Sequence, residues 1–213
     1  MHSTASLSVE PKTAHDEIAK VGAAHSVWKT SIRFTLVTAL IFGLGYPLLL
    51  TGLAAVLFHH KAAGSLIVDS NGQVVGSSLI AQSFTSDKYF HPRPSAAGNG
   101  YDATSSGGSN LAQSNAKLPQ RMQADIDKLA ATNPGHPVPI DMVTTSASGL
   151  DPDITPDNAY FQVARIAAAR GIAPDRLHDF VAHHIQGRDL GFLGEPRVNV
   201  LELNLALDEM TNR

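Results

Sequence analysis

One uncharged run constrains this chain more than any other feature: the 25 residues from Phe34 to Phe58, FTLVTALIFGLGYPLLLTGLAAVLF. A helix rises about 1.5 Å per residue, so the run spans roughly 37 Å, against about 30 Å of bilayer hydrocarbon. A helix in a soluble core rarely needs so long an apolar stretch. The run predicts one membrane span with some tilt. Its rival is a signal peptide, whose apolar part has about 7–15 residues near the N-terminus. Here 33 residues precede a longer run, and only Ala54-Ala55 and Ala62-Ala63-Gly64 offer weak cleavage points. Lys20, Lys29 and Arg33 lie before the run, and only Lys61 lies within the same reach after it. Lys and Arg resist translocation. The expected organisation is a cytoplasmic, unstructured tail over 1–33, a transmembrane helix over 34–58 and an extracytoplasmic domain over 59–213.

Without tail and span about 150 residues remain, enough for one domain with its own core. The chain has no Cys, which excludes thiol catalysis, cysteine zinc sites and iron–sulfur clusters. From Ala62 onward there are 11 Lys+Arg against 16 Asp+Glu, an acidic balance that argues against nucleic acid as a partner.

Inside the run, Gly43, Gly45, Tyr46, Pro47 and Gly52 form a small-residue notch. Glycine lets a second helix approach closely, and Pro47 removes one backbone hydrogen bond and kinks the helix. No second span follows, so the notch predicts packing on another chain. Beyond the span, Gly64 to Val68 and Val74 to Ile80 read as two short strands joined by a turn at Asn71-Gly72. Residues 82–115 change character, with Pro92, Pro94 and the glycine- and serine-rich run Ser105 to Asn110. Tyr89, Phe90, His91, Arg93 and Tyr101 make this an expected ordered surface loop that packs on the domain or on a partner, and these five are the candidate partner-binding residues. Leu118, Met122, Ile126 and Leu129 recur at helical spacing. The stretch 137–145 reads as a strand or extended segment. Thr155-Pro156-Asp157 opens a helix that Gly171 stops, and Ala173-Pro174 opens another that Gly187 closes. From Asn199 to Met210 the pattern fits strand or helix, and Asn199 with Glu202 favours helix. The expected fold class is an α+β extracytoplasmic domain, a small sheet or hairpin plus about four helices, anchored by one N-terminal transmembrane helix.

No catalytic set stands out. His183 and His184 are adjacent, about 100° apart on a helix, and His178 is not at i,i+4 spacing to either. Ser105 with His91 and Asp141 lacks the Gly-x-Ser-x-Gly setting of a hydrolase. Asp151, Asp153 and Asp157 lack the glycine and terminal Glu of a calcium loop. Ser106, Gly107, Gly108, Ser109 and Asn110 could bring backbone amides to a phosphate, but no Lys follows them and no P-loop is present.

Taken together, several ordered stretches carry a resemblance. They are Tyr46-Pro47-Leu48, Gly64 to Ile67, Gly76 to Gln82, Tyr89 to Ala96, Ser106 to Leu111, Pro137 to Asp151, Thr155-Pro156 and Gly194 to Asp208. The chain resembles the C subunit of the bacterial Kdp-type potassium-transporting ATPase over nearly everything from the span onward; the N-terminal tail is longer than the family's. The resemblance implies a non-catalytic accessory and assembly subunit, single-pass in the bacterial inner membrane. Its partners would be a channel-like potassium-carrying subunit, a P-type ATPase catalytic subunit and membrane lipid. ATP would be used by the catalytic subunit, whose nucleotide affinity the C subunit is proposed to raise. ATP is cytoplasmic, however, and the flanks put 59–213 outside, so the expectation is indirect coupling, with no cofactor bound here. The competing class is an anchored extracytoplasmic enzyme or ligand-binding module.

Overall fold

The computed structural model describes residues 27–69 and 72–211. The tail expected over 1–33 therefore lies outside the described residues as far as 26, and Asn71 of the expected turn lies outside them too. The chain divides into two units, Met1–Ala62 and Ala63–Arg213.

The first unit is dominated by helix α1, Val27–Leu57, which is long and apolar enough to cross a membrane. It begins before the apolar run, so residues 27–33, expected in the tail, are helical. A seven-residue π-helical segment, Ala39–Gly45, sits immediately before Tyr46-Pro47. Proline has no N–H, and its ring presses on the carbonyl four residues back, which here is Gly43. The wider turn, in which the Tyr46 N–H donates to the Ile41 carbonyl, carries the helix into the proline. Helix α2, His59–Ala62, follows.

The second unit opens with the hairpin β1 (Leu66–Val68) and β2 (Val74–Ser77), paired antiparallel with Leu66 opposite Ser77. The second strand stops three residues short of the predicted Ile80, where the chain turns. Helix α3 is Lys117–Ala130, and its predicted stripe Leu118, Met122, Ile126 and Leu129 is half-buried. Over 137–145, expected as a strand or extended segment, no strand forms; Pro139 is extended, and a 3-10 turn, Ile140–Met142, follows it. Pro137 and Pro139 deny a ladder its N–H groups. The buried Asp141 carboxylate also accepts from the Thr155 amide at 2.9 Å, the Thr155 hydroxyl at 3.1 Å and the Asn158 amide group at 2.9 Å, which anchors the turn.

Helix α4, Pro156–Arg170, starts and stops where predicted: Thr155 Oγ1 accepts from the Asn158 N–H at 3.1 Å, and Gly171 adopts φ 66°. Helix α5, Pro174–His183, ends before the predicted Gly187. The Gln186 backbone is already paired with Arg197, so it cannot continue the helix. Two residues on each side form a second small sheet, β3 (Asp153–Ile154) with β4 (Val198–Asn199), antiparallel. Strands so short carry no alternation that a pattern search detects. Helix α6, Val200–Thr211, resolves the C-terminal ambiguity as helix, with Asn199 Oδ1 accepting from the Glu202 N–H at 3.2 Å. The unit is α+β, as expected. Its core gathers Phe90, Ile154, Val163, Ile166, Leu177, Val181, Val198, Leu203 and Leu207 around α4, α5 and α6.

Candidate functional site

The extended path Tyr89 to Pro94 is held by side chains, not by a sheet. Pro92 and Pro94 lack the N–H groups that a ladder needs, so the polar backbone between them must find other partners. Asn204 on α6 accepts from the Phe90 N–H at 2.8 Å and donates to the Phe90 carbonyl at 2.9 Å. Gln162 on α4 does the same for His91, at 2.8 and 3.0 Å. Each carboxamide presents one acceptor and one donor in one plane, so it pairs a residue's backbone as a neighbouring strand would. Gln162 also donates to Asn158 at 2.7 Å, and Asn158 donates to Asp141. A continuous buried polar chain thus runs from the 3-10 turn to the loop.

Two arginines complete the clamp. Arg165 donates to the Asp87 and Tyr89 carbonyls and to Gln162 Oε1. Arg170 donates to the Lys88 carbonyl and to Asp208 at 2.7 Å, and its guanidinium lies 4.9 Å from the centre of the Tyr89 ring. The Tyr89 hydroxyl donates to Asp208 at 3.0 Å. Further along, Arg93 pairs with Asp151 at 2.8 Å, and the Tyr101 hydroxyl donates to the Arg93 carbonyl at 2.8 Å. Burial pushes the Tyr101 phenol up to about 12.

The structure therefore brings the five predicted loop residues together but turns them onto their own domain. Phe90, expected to pack either on the domain or on a partner, is fully enclosed within the domain, with 0% exposure. An aromatic beside an Arg reads alike at an interface and over a core, and the residues that distinguish the two cases lie elsewhere in the chain. Gln162, Asn204, Arg165 and Arg170 escaped the sequence reading. The one available signal was Asn204 itself, a polar residue between Leu203 and Leu207 on the apolar face of α6.

The glycine-rich turn is likewise occupied. The Gly107 N–H donates to the Ser148 carbonyl at 2.8 Å, and Ser106 Oγ donates to the same oxygen at 3.0 Å. A Cβ on Gly108 would lie 3.1 Å from the Ala147 carbonyl, so a close backbone approach explains that glycine. Ser109 and Asn110 continue the turn, Asn110 with φ 52°. The Gly107 amide, which could have approached a phosphate, is bonded within the domain. Among the described residues no three His, Cys, Asp or Glu gather to hold a metal ion. In α1, by contrast, the notch is open among the described residues. A Cβ on Gly43 or Gly52 would meet nothing within 4 Å, and one on Gly45 only the Leu40 carbonyl at 3.5 Å.

His91 links the clamp to pH. Burial first, and then the Arg165 charge, push its imidazole below the ordinary value, while the Ser86 carbonyl and Asp87 oppose the shift. The unfolded chain then binds this proton more readily than the folded one, so stability is complete above about pH 6.5 and falls as pH drops below it. The melting temperature is expected to fall between about pH 7.5 and about pH 5.5, and to fall less in His91→Gln. Equal slopes for the two proteins would remove His91 from this account.

Sequence comparison decides what kind of chain carries this geometry. The family model described as "KdpC: K+-transporting ATPase, c chain" matches residues 28–209. The chain belongs to the KdpC family. A Koribacter versatilis protein named potassium-transporting ATPase KdpC subunit is 58% identical over 179 residues, 84% of this chain and 92% of that one. Proteins of the same name from Methylobacterium nodulans and Myxococcus xanthus are 56% and 54% identical, over 82% and 86% of this chain and 92% and 88% of their own lengths. The matched region includes α1 from residue 28, the clamp and the secondary structure as far as residue 209 of α6.

Proposed function

We propose that the chain is the C subunit of a potassium-transporting ATPase, an accessory chain that stabilises the complex and promotes ATP use by the catalytic subunit without hydrolysing ATP itself. The observation that carries this is the family match over 28–209. Its partners on this reading are a channel-like potassium-carrying subunit and the P-type catalytic subunit, in the bacterial inner membrane. The N-terminus lies in the cytoplasm and residues 59–213 lie outside, as Lys20, Lys29 and Arg33 close before the span, against Lys61 alone close after it, favour. Two features support an assembly role. Among the described residues the glycine notch of α1 has no occupant, which suits close packing against another span. The buried polar groups of the clamp are engaged with backbone, which suits a rigid scaffold. With Gly107 bonded to Ser148 and the domain outside, any effect on nucleotide is indirect.

One preparation tests this reading. An affinity tag placed after Arg213 should be labelled from outside intact spheroplasts. The same tag should capture two larger subunits and potassium-stimulated ATPase activity from membranes in mild detergent. Gly45→Leu should lower that recovery. A chain that elutes alone, a tag reached only after lysis, or ATP hydrolysis by the chain by itself would each contradict the proposal.

A further inference from the structure

Residues 186–197 form a stiff finger with an apolar tip. At its base the Gln186 N–H donates to the Arg197 carbonyl at 2.8 Å, and the Arg197 N–H donates back at 3.0 Å. Nearer the tip, Asp189 and Leu193 exchange both backbone bonds at 2.9 Å. Arg188 pairs with Glu195 at 2.7 Å across the finger, and Arg197 reaches Asp153 on β3 at 3.3 Å. At the tip, Leu190 is 83% exposed, Phe192 69% and Leu193 49%. Leu190 also has φ 54°, the left-handed region that a side-chain-bearing residue rarely adopts. The finger thus holds three large apolar side chains in water, in one fixed and unfavourable shape. Neither feature helps an isolated domain fold.

We propose that this finger is a docking knob, with Leu190, Phe192 and Leu193 seated in an apolar socket on another protein chain of the potassium-transporting ATPase. The proposal rests on the subunit assignment above. A bilayer surface is the other environment that takes up apolar tips, and two observations favour protein. The four charges of the finger, Arg188, Asp189, Glu195 and Arg197, cancel, and from Ala62 onward acidic residues outnumber basic ones, 16 to 11, so no basic excess draws the finger to anionic lipid. A fluid bilayer, moreover, accepts any shape and gives no return for a strained one, whereas a socket rewards a preorganised knob. The socket rim needs no net charge, because Arg188 and Glu195 already satisfy each other. An aromatic ring such as Phe192, desolvated at the centre of such a contact, is a residue type that interface cores favour.

The test uses the full chain co-expressed with the other subunits and captured through its C-terminal tag. In Leu190→Ser with Phe192→Ser, recovery of the other subunits is expected to fall about ten-fold or more, with the melting temperature of the captured chain unchanged. With p-benzoylphenylalanine in place of Phe192, ultraviolet light is expected to cross-link the chain to one ATPase subunit identified by mass. Undiminished recovery in the double variant, cross-links to lipid alone, or a lowered melting temperature that shows the tip packing on its own domain would each overturn the proposal. If the unaltered chain captures no ATPase subunit, the assignment fails and the knob with it. If the unaltered chain and the double variant capture equally, the knob alone fails.

Discussion

Phe90→Ala is expected to destabilise the second unit by about 3–5 kcal/mol and to lower its melting temperature by roughly 10 °C. The ring has 0% exposure and belongs to the same buried cluster as Val163 and Ile166 on α4 and Leu203 and Leu207 on α6. Removing it takes away apolar contact and leaves a cavity. Collapse of that cavity is restricted, because both backbone polar groups of Phe90 are held by Asn204. Arg93→Ala should cost much less. Its partner Asp151 and its own side chain are 30% and 25% exposed, and a pair so open to water contributes at most about 1 kcal/mol. Thermal unfolding of the purified full chain, followed by circular dichroism, checks both variants. A Phe90→Ala protein that melts within a degree or two of the unaltered one would mean that the loop does not enter the core.

Asn204→Leu is the second large effect, expected at about 2–4 kcal/mol although the side chains share one branched shape and leucine is the more apolar. The substitution strands the buried N–H and carbonyl of Phe90, each of which loses a partner that water cannot replace. The apolar gain does not offset this, since Asn204 already lies 1% exposed among Leu203 and Leu207, and leucine adds little further burial. The effect should localise. Hydrogen exchange at the Phe90 amide, slow in the unaltered chain, should accelerate in the variant far more than exchange in the middle of α4. Uniform acceleration would show general destabilisation and no specific clamp. A variant with unchanged exchange would show that the Phe90 N–H has another acceptor.

Where a signal lay within a few residues, the sequence was legible. The apolar run showed the helix that is long enough to span a membrane, because length and lack of charge are properties of the run itself. Thr155, Pro156 and Gly171 showed both ends of α4, because N-cap, first-turn proline and left-handed stop are local backbone chemistry. Asn199 and Glu202 showed the start of α6 for the same reason. The resemblance to the KdpC family was legible because many short matches in order are more specific than any one of them.

What only the tertiary structure decided is where partners come from. Phe90 and Asn204 stand 114 residues apart, and His91 and Gln162 stand 71 apart, so no window on either partner shows the other. That distance hides which way the loop faces, domain or partner, and only the fold shows Phe90 entering the core. The 3-10 turn at Ile140–Met142 depends in the same way on Thr155 and Asn158, and the two-residue sheet of β3 and β4 on a register set by neighbours. The exposure of Leu190 and Phe192 is the reverse case. Their apolar character reads as core in any sequence scale, and only the closed backbone pairing of the finger, with Leu190 in a left-handed turn, holds them out in water.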